Sequence, residues 1–298
     1  MENPPIQIPL DRPEELTREG RPSPERPDPD NPPWGVWGAL GLLLLSFGLM
    51  LVTQVVFLVP YALRRGVKLD ALGEFITKDA GAIFVAVVSI PPAHLITLAV
   101  AWLLVTRVGR YPFLRTLGWE WGRGLSFWRC VWLALLLLGT GYAIIYVAGE
   151  CDNELERILR SSRSAALAAA FAATFTAPVV EEVVFRGLLY PALRRLVGVG
   201  WAVAVVFVIF AAIHVPQYWP CYGVIGTILL LSLVLTVVRA RTGRLLPCVL
   251  IHFVFNGVQC ALLVLAPYLE GFLPKETPPP PAPGLLFELC IKLFGAAW

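Results

Sequence analysis

The sequence predicts an all-α, polytopic transmembrane helical bundle, and three observations favour this class. Of the 298 residues, 57% are hydrophobic and only 15% are charged, with a mean hydropathy of +0.70, unlike a soluble domain. The apolar runs are continuous over about 20 residues, the length that a helix needs to cross a bilayer. They do not alternate over about 10 residues, as strands of a transmembrane β-barrel do. The net charge of +3 is spread over loops and offers no basic face for nucleic acid.

About seven apolar segments are predicted to span the membrane. Prolines, aromatic residues or basic residues bound most of them, as is typical of membrane interfaces. The predicted spans are Trp34–Tyr61, Ala82–Thr106, Cys130–Gly149, a fourth from Ser164 into the segment that begins at Thr176, Trp201–Val215, Tyr222–Val238 and Leu245–Ala266. The stretch Leu285–Trp298 is too short to span and is predicted to be an amphipathic interfacial helix. An eighth, tilted span that includes this stretch is the alternative.

The two ends of the chain differ in composition from the spans. Residues 1–33 hold eight acidic and four basic side chains and many prolines, without the features of a signal peptide, so we expect a disordered acidic arm. Residues 34–163 are expected to form the N-terminal transmembrane helices with amphipathic loops, and residues 268–298 a proline-rich linker and the short helix. The side that holds the N-terminus carries 14 Lys and Arg residues and the other side 9. The positive-inside rule therefore predicts a cytoplasmic N-terminus.

Two adjacent glutamates and an arginine interrupt the fourth span. One charged side chain near the centre of a span costs roughly 2.5 to 3.5 kcal/mol, so these residues should pair or face a polar cavity. Glu182 and Arg186 are at i,i+4 spacing and share a helix face, whereas Glu181 points about 100° away. This segment is the first candidate for a functional site.

Two later spans each carry a pair of polar or aromatic residues at the same i,i+4 spacing. Phe210 and His214 share one face of the fifth span, and His252 and Asn256 share one face of the seventh. The depths of these residues and of the glutamates along their spans agree to within about 10 Å. A helix break expected at Pro178 can absorb that difference. We therefore expect the three helices to converge in the cytoplasmic half of the bundle.

The remaining histidine and the six cysteines are interpreted as structural. His94 lies beside Pro91-Pro92 in the second span and has no polar partner in its own helix turn, so it is predicted to be a satisfied core histidine. The cysteines form no C-x-x-C pair and are predicted to be small buried hydrophobic residues rather than disulfides or metal ligands.

Taken together, these motifs resemble those of the CAAX protease and bacteriocin-processing family, the CPBP or Abi intramembrane proteases. The matches are Glu181-Glu182 with Arg186 (EExxxR), Phe210 with His214 (FxxxH) and His252 with Asn256 (HxxxN). The resemblance implies a catalytic transmembrane core over residues 164–267, with a polar site between spans four, five and seven. It implies a multi-pass intramembrane endopeptidase that cuts a membrane-associated protein or peptide, with a lipidated substrate as one option.

The residue types make chemical sense of peptide hydrolysis. Glu181, desolvated in an apolar bundle, is predicted to be the general base for a water that His214 also holds. His252 and Asn256 are predicted to donate hydrogen bonds to the tetrahedral oxyanion. Glu182 is grouped with these catalytic residues.

The supporting residues and the cofactor are predicted as follows. Arg186 is expected to neutralise Glu182, and Phe210 to pack against the site. A Zn²⁺ ion held by Glu181, His214 and His252 is the alternative to a metal-free mechanism. Because there is no H-E-x-x-H motif, a glutamate mechanism that requires no cofactor is favoured.

Two other classes of function stay open. The first is a non-catalytic membrane scaffold or immunity protein of the same family, in which the motif residues form a buried ion-pair network. The second is a proton-coupled transporter, which is disfavoured because the sequence shows no internal repeat.

Overall fold

The computed structural model of the protein describes residues 29–122, 124–149, 151, 157–158 and 161–269, with side chains up to residue 265. The predictions for residues 1–28 and for the C-terminal stretch beyond residue 269 lie outside this part of the chain. Within it, the chain forms helices and turns and no β-strand. The helices are α1 (Val36–Arg64), α2 (Leu72–Lys78), α3 (Ala80–Val88), α4 (Ile90–Thr106), α5 (Phe113–Thr116), α6 (Phe127–Ala148), α7 (Arg163–Phe171), α8 (Ala177–Glu182), α9 (Tyr190–Tyr218), α10 (Tyr222–Thr242) and α11 (Leu246–Leu269).

In the described chain, seven segments each run from one side of the bundle to the other, as predicted, and we call these segments crossings. Six of its helices are long and apolar enough to cross a membrane, and one of them, Arg163–Tyr218, has 56 residues. That helix is divided at Gly198, whose φ of 79° and ψ of 173° are non-helical and favour glycine. The rings of Phe185 and Phe210 lie 5.1 Å apart, whereas an unbroken helix would separate them by about 37 Å. The chain therefore turns back at Gly198, and we name its two arms the motif helix (residues 163–197) and the return helix (residues 199–218).

The second crossing consists of two helices, α3 and α4, that meet at Ser89. Pro91 and Pro92 lie in the first turn of α4, where backbone N–H groups have no acceptor within the helix. The second crossing is therefore interrupted just before the two prolines. His94 follows one turn into α4.

The motif helix contains two wide-turn π segments, Ala172–Thr176 and Val183–Leu189. In the first of them the N–H of Ala177 bonds to the carbonyl of Ala172, five residues back. The next residue, Pro178, has no N–H, so the carbonyl of Ala173 receives no backbone hydrogen bond from it. The break expected at Pro178 thus takes the form of a π segment just before the proline, and the helix continues.

The motif helix is the centre of the bundle and α1 lies at its periphery. Residues 182–193 are all buried, so other elements surround this part of the motif helix on every side. In α1, Leu51, Val55 and Val56 remain 66%, 59% and 58% exposed. Such a row of exposed apolar side chains is suited to contact with lipid.

Two of the six cysteines contradict the interpretation as buried hydrophobic residues. Cys151 and Cys221 form a disulfide across 70 residues of sequence, with their Cα atoms 5.6 Å apart. The interpretation was wrong for this pair because both residues follow the ends of crossings on one side of the bundle, which sequence spacing does not reveal. Cys130 and Cys248 are buried free thiols, as predicted, and Cys260 is a half-buried free thiol.

Candidate active site

Glu182 and Arg186 form an ion pair within the motif helix. Nη1 of Arg186 lies 3.0 Å from Oε1 of Glu182, and neither side chain is exposed. The desolvation of two buried charges can exceed their mutual attraction, so such a pair needs further hydrogen bonds. The remaining donors of Arg186 therefore require acceptors from other helices.

Helix α10 and the return helix supply these partners. Nε of Arg186 donates to Oγ1 of Thr236 at 3.2 Å, and Nη2 donates to both the carbonyl and the hydroxyl oxygen of Ser232 at 3.1 Å. The guanidinium carbon lies 4.3 Å from the centre of the Phe210 ring, a cation–π distance. Ser232 and Thr236 belong to no motif of the sequence. Their i,i+4 spacing on an apolar span is the signal that could have identified them.

His252 lies between the two adjacent glutamates. Its Nδ1 donates to Oε1 of Glu182 at 2.9 Å, since a carboxylate only accepts. Its Nε2 faces Glu181, whose Oε2 is 3.8 Å away. The Glu181 side chain keeps 24% of its surface exposed, whereas that of Glu182 keeps none. Two neighbouring carboxylates thus have different environments, one open and one buried.

His214 joins the cluster through Phe210. The centre of the Phe210 ring is 4.7 Å from that of His214 and 6.2 Å from that of His252. Nδ1 of His214 donates to the carbonyl of Phe210 at 2.7 Å, so a neutral ring carries its proton there and leaves Nε2 as an acceptor. The half-buried His214 is therefore oriented to accept a hydrogen bond at the edge of the cluster.

Asn256 contacts the π segment that precedes the glutamates. Its Nδ2 donates to the carbonyl of Ala173 at 2.9 Å, the same carbonyl that receives no hydrogen bond from Pro178. The neighbouring Gly257 allows this close approach, because a Cβ atom there would lie 3.3 Å from the Thr174 side chain. One of the two amide hydrogens of Asn256 is thus committed to the backbone of the motif helix.

His94, which no motif includes, also has its partner on the motif helix. Its Nδ1 lies 2.8 Å from Oγ1 of Thr176, and the Thr176 hydroxyl donates to the carbonyl of Ala172 at 3.1 Å. A hydroxyl has a single proton, so Nδ1 of His94 is the donor in the first of these bonds. The sequence feature that could have identified His94 is its position one turn after two consecutive prolines.

Residues 29–33, the described part of the arm predicted to be disordered, contact the motif helix and α10, so that prediction is wrong for these five residues. The buried guanidinium of Arg239 donates to the carbonyl of Arg186 at 3.1 Å and to Oδ1 of Asp30 at 3.0 Å. Arg194 also pairs with Asp30. Burial on its own would raise the pKa of Asp30, but the hydrogen bonds and positive charges of Arg194 and Arg239 outweigh burial and lower that pKa. Trp34 adds a hydrogen bond from Nε1 to the carbonyl of Leu188 at 3.1 Å.

The described residues do not group into a metal site. No three His, Cys, Asp or Glu side chains in this part of the chain are placed to hold a metal ion. Oε1 of Glu182 is shared by Arg186 and His252, and Nδ1 of His214 is bonded to a carbonyl. Glu181, His214 and His252 have the donor atoms that Zn²⁺ prefers, but not the arrangement.

The comparisons with known proteins identify one segment of the chain. Residues 163–258 match the family model described as type II CAAX prenyl endopeptidase, Rce1-like. The matched segment includes all the motif residues, from Glu181 to Asn256, and leaves out His94 and Asp30. No curated protein and no solved structure gives a significant match.

Proposed function

We propose that this integral membrane protein hydrolyses a peptide bond of a membrane-associated protein or peptide, because residues 163–258 match the Rce1-like family model of type II CAAX prenyl endopeptidases. The observation that carries the proposal is the pair formed by Glu181 and His252. A partly exposed carboxylate lies 3.8 Å from Nε2 of a buried imidazole, whose other nitrogen is held by Glu182 at 2.9 Å. A carboxylate and an imidazole thus lie side by side within the bundle, and both are groups that acid–base catalysis uses.

In the proposed reaction Glu181 takes one proton from a water molecule. The water oxygen forms a bond to the carbonyl carbon of the scissile peptide, and the π electrons of the carbonyl move onto its oxygen. When the tetrahedral intermediate collapses, the C=O bond re-forms, the C–N bond breaks, and the leaving nitrogen takes the proton from Glu181. Nε2 of His214 accepts a hydrogen bond from the same water and helps to orient it.

The oxyanion of the intermediate is stabilised by His252 and Asn256. Nδ1–H of His252 is committed to Glu182, so only a doubly protonated ring offers Nε2–H to the oxyanion. Such a ring balances the negative charge of Glu181, as Arg186 balances that of Glu182. Asn256 offers the amide hydrogen that is not bonded to Ala173. Donors of this kind typically contribute about 2.7 to 4 kcal/mol each to transition-state stabilisation.

The proposed topology has a cytoplasmic N-terminus. The excess of Lys and Arg on the N-terminal side, 14 against 9, supports it. The disulfide between Cys151 and Cys221 is an independent support, because the third and fifth crossings bring both residues to the opposite side. Disulfides persist in oxidising compartments and are rare in the cytosol.

The Zn²⁺ alternative is distinguished by chelation. If Glu181 acts without a metal, dialysis against 1,10-phenanthroline leaves the rate of peptide cleavage unchanged. If cleavage is lost and is restored by added Zn²⁺, the metal-free mechanism is wrong. Zinc content of the purified protein, measured by mass spectrometry, provides the second readout.

The experiment that tests the activity uses the full chain in liposomes and a fluorescence-quenched peptide that ends in farnesyl-Cys-a-a-X. We expect endoproteolytic cleavage, with the products identified by mass spectrometry. A Glu181→Gln, His252→Ala double variant should give no product. Glu120→Gln is the matched control, because this exposed residue forms a surface ion pair with Arg244, with side chains 51% and 35% exposed.

Two outcomes would contradict the proposal. Equal cleavage by the double variant would mean that the activity does not come from this site. If neither this peptide nor transmembrane peptides without a prenyl group are cut by the wild type, the scaffold class is favoured, because the Glu182–Arg186 network is also suited to a purely structural role.

A further inference from the structure

Two side chains from different helices hold the π segment Ala172–Thr176 of the motif helix. Asn256 of α11 donates to the carbonyl of Ala173 at 2.9 Å. His94 of α4 donates to the hydroxyl of Thr176 at 2.8 Å, and that hydroxyl donates to the carbonyl of Ala172 at 3.1 Å. Both hydrogen bonds thus act on the first of the two segments in which the motif helix departs from α geometry.

The π segment determines where Glu181 points. A π turn contains one residue more than an α turn, so it rotates all later residues by about 100° about the helix axis. Glu181 follows Thr176 by five residues, about 7.5 Å along the axis. If the π segment relaxed to α geometry, the Glu181 carboxylate would turn away from Nε2 of His252, which now lies 3.8 Å from it.

His94 contacts the motif helix at Thr176, five residues before Glu181. It is half-buried and lies outside the segment that matches the endopeptidase family, residues 163–258. Pro91 and Pro92 lie in the first turn of the helix that carries His94. These observations connect a residue of the N-terminal helices to the base proposed for the C-terminal core.

We propose that His94 is a positioning residue for Glu181, because its hydrogen bond to Thr176 holds the π segment that directs the Glu181 carboxylate toward His252. The catalytic consequence rests on the proposed function. The structural part, that His94 holds the segment, can be measured without any substrate.

The first measurement is hydrogen exchange of the peptide that covers residues 172–182 in the purified full chain. His94→Leu removes the donor, so amide exchange in this peptide should become at least about threefold faster, since local opening becomes easier. His94→Asn keeps an N–H at the same number of bonds from the backbone and should restore slow exchange. Thr97→Val is the matched control, because buried Thr97 lies on the same helix and its hydroxyl donates to the carbonyl of Ala93 within that helix. Unchanged exchange in His94→Leu would overturn the proposal, whether or not the protein cleaves peptides.

The second measurement is the cleavage rate of the farnesylated peptide. For His94→Leu we expect kcat to fall about 10- to 100-fold with little change in KM, since a small misplacement of a catalytic group has effects of this size. Thr176→Val should give a similar loss, and the double variant should lose little more than either single variant. Full kcat in His94→Leu, in a protein whose wild type is active, would overturn the positioning role. An inactive wild type with faster exchange in His94→Leu would reject the proposed function and keep the structural contact.

Discussion

Two glutamate–cation pairs of this protein have the same sequence spacing and opposite environments. Glu182–Arg186 and Glu74–Lys78 are both i,i+4 pairs, with N–O distances of 3.0 and 2.9 Å. The first pair is fully buried in the motif helix, whereas the side chains of the second are 70% and 73% exposed on α2. Geometry within the helix therefore does not distinguish the two pairs.

The difference between the pairs lies in what surrounds them. Arg186 donates to Thr236 and Ser232 on α10 and stacks against Phe210, and Glu182 accepts from His252. No such contacts from other helices accompany the exposed pair among the described residues. The buried pair is therefore part of a network that connects four crossings, and the exposed pair is a local surface contact of small energetic effect.

The largest expected effect comes from breaking the buried network. Arg186→Met leaves Glu182 as a buried charge without its cation, so we expect a loss of about 3 to 5 kcal/mol in the free energy of unfolding. Equilibrium unfolding in detergent micelles measures it. The double variant Glu182→Leu, Arg186→Met should recover part of this loss. A single variant within about 1 kcal/mol of the wild type would show that the network contributes little to stability.

Asp30→Asn should have an intermediate effect, because it removes the carboxylate that accepts from buried Arg239. We expect a loss of roughly 1.5 to 3 kcal/mol, typical of hydrogen bonds to charged groups. Since the pKa of Asp30 is lowered on folding, its contribution to stability is fully present above its unfolded pKa, about 3.9. That contribution is lost as the pH falls through the folded pKa.

The measurement for Asp30 is the difference in unfolding free energy between the wild type and Asp30→Asn as a function of pH. The difference should be constant from about pH 5 to pH 8 and should shrink below about pH 4. A difference that grows on acidification would contradict the ion pairs with Arg194 and Arg239.

The smallest effect is expected for the exposed pair. Lys78→Ala should change the free energy of unfolding by no more than about 0.5 kcal/mol, since exposed i,i+4 pairs contribute little. The free energy of unfolding, measured at low and at high salt, checks this prediction, because salt screens the attraction between Glu74 and Lys78. A loss of unfolding free energy comparable to that of Arg186→Met would mean that burial does not determine how much each pair contributes to stability.

Much of the architecture could be predicted from the sequence because a membrane restricts the choices. Continuous apolar runs require helices, so the seven crossings follow from length and composition. The i,i+4 spacing of Glu182 and Arg186 predicts their pairing, since it depends on one helix only. The endopeptidase resemblance rests on motifs that lie in order along the chain, and residues 163–258 match that family.

Contacts between helices could not be predicted from the sequence, unlike contacts within one helix. His94 with Thr176, and Arg186 with Ser232, depend on which helices are neighbours and on how each is rotated. The disulfide of Cys151 with Cys221 joins loops 70 residues apart, and no local pattern marks it. A π segment replaces the expected break, because Asn256 donates to the carbonyl of Ala173, which receives no hydrogen bond from Pro178.

The most direct test of the central claim, that Glu181 is the base and Glu182 its buried support, is the kcat of Glu181→Gln on the farnesylated peptide. We predict that kcat falls about 10²- to 10⁴-fold, the usual effect of removing a general base. The unfolding free energy should stay close to that of the wild type, because Glu181 is partly exposed and His252 keeps its hydrogen bond to Glu182. A kcat within about tenfold of the wild type, in a protein that remains folded, would contradict the assignment of Glu181 as the base.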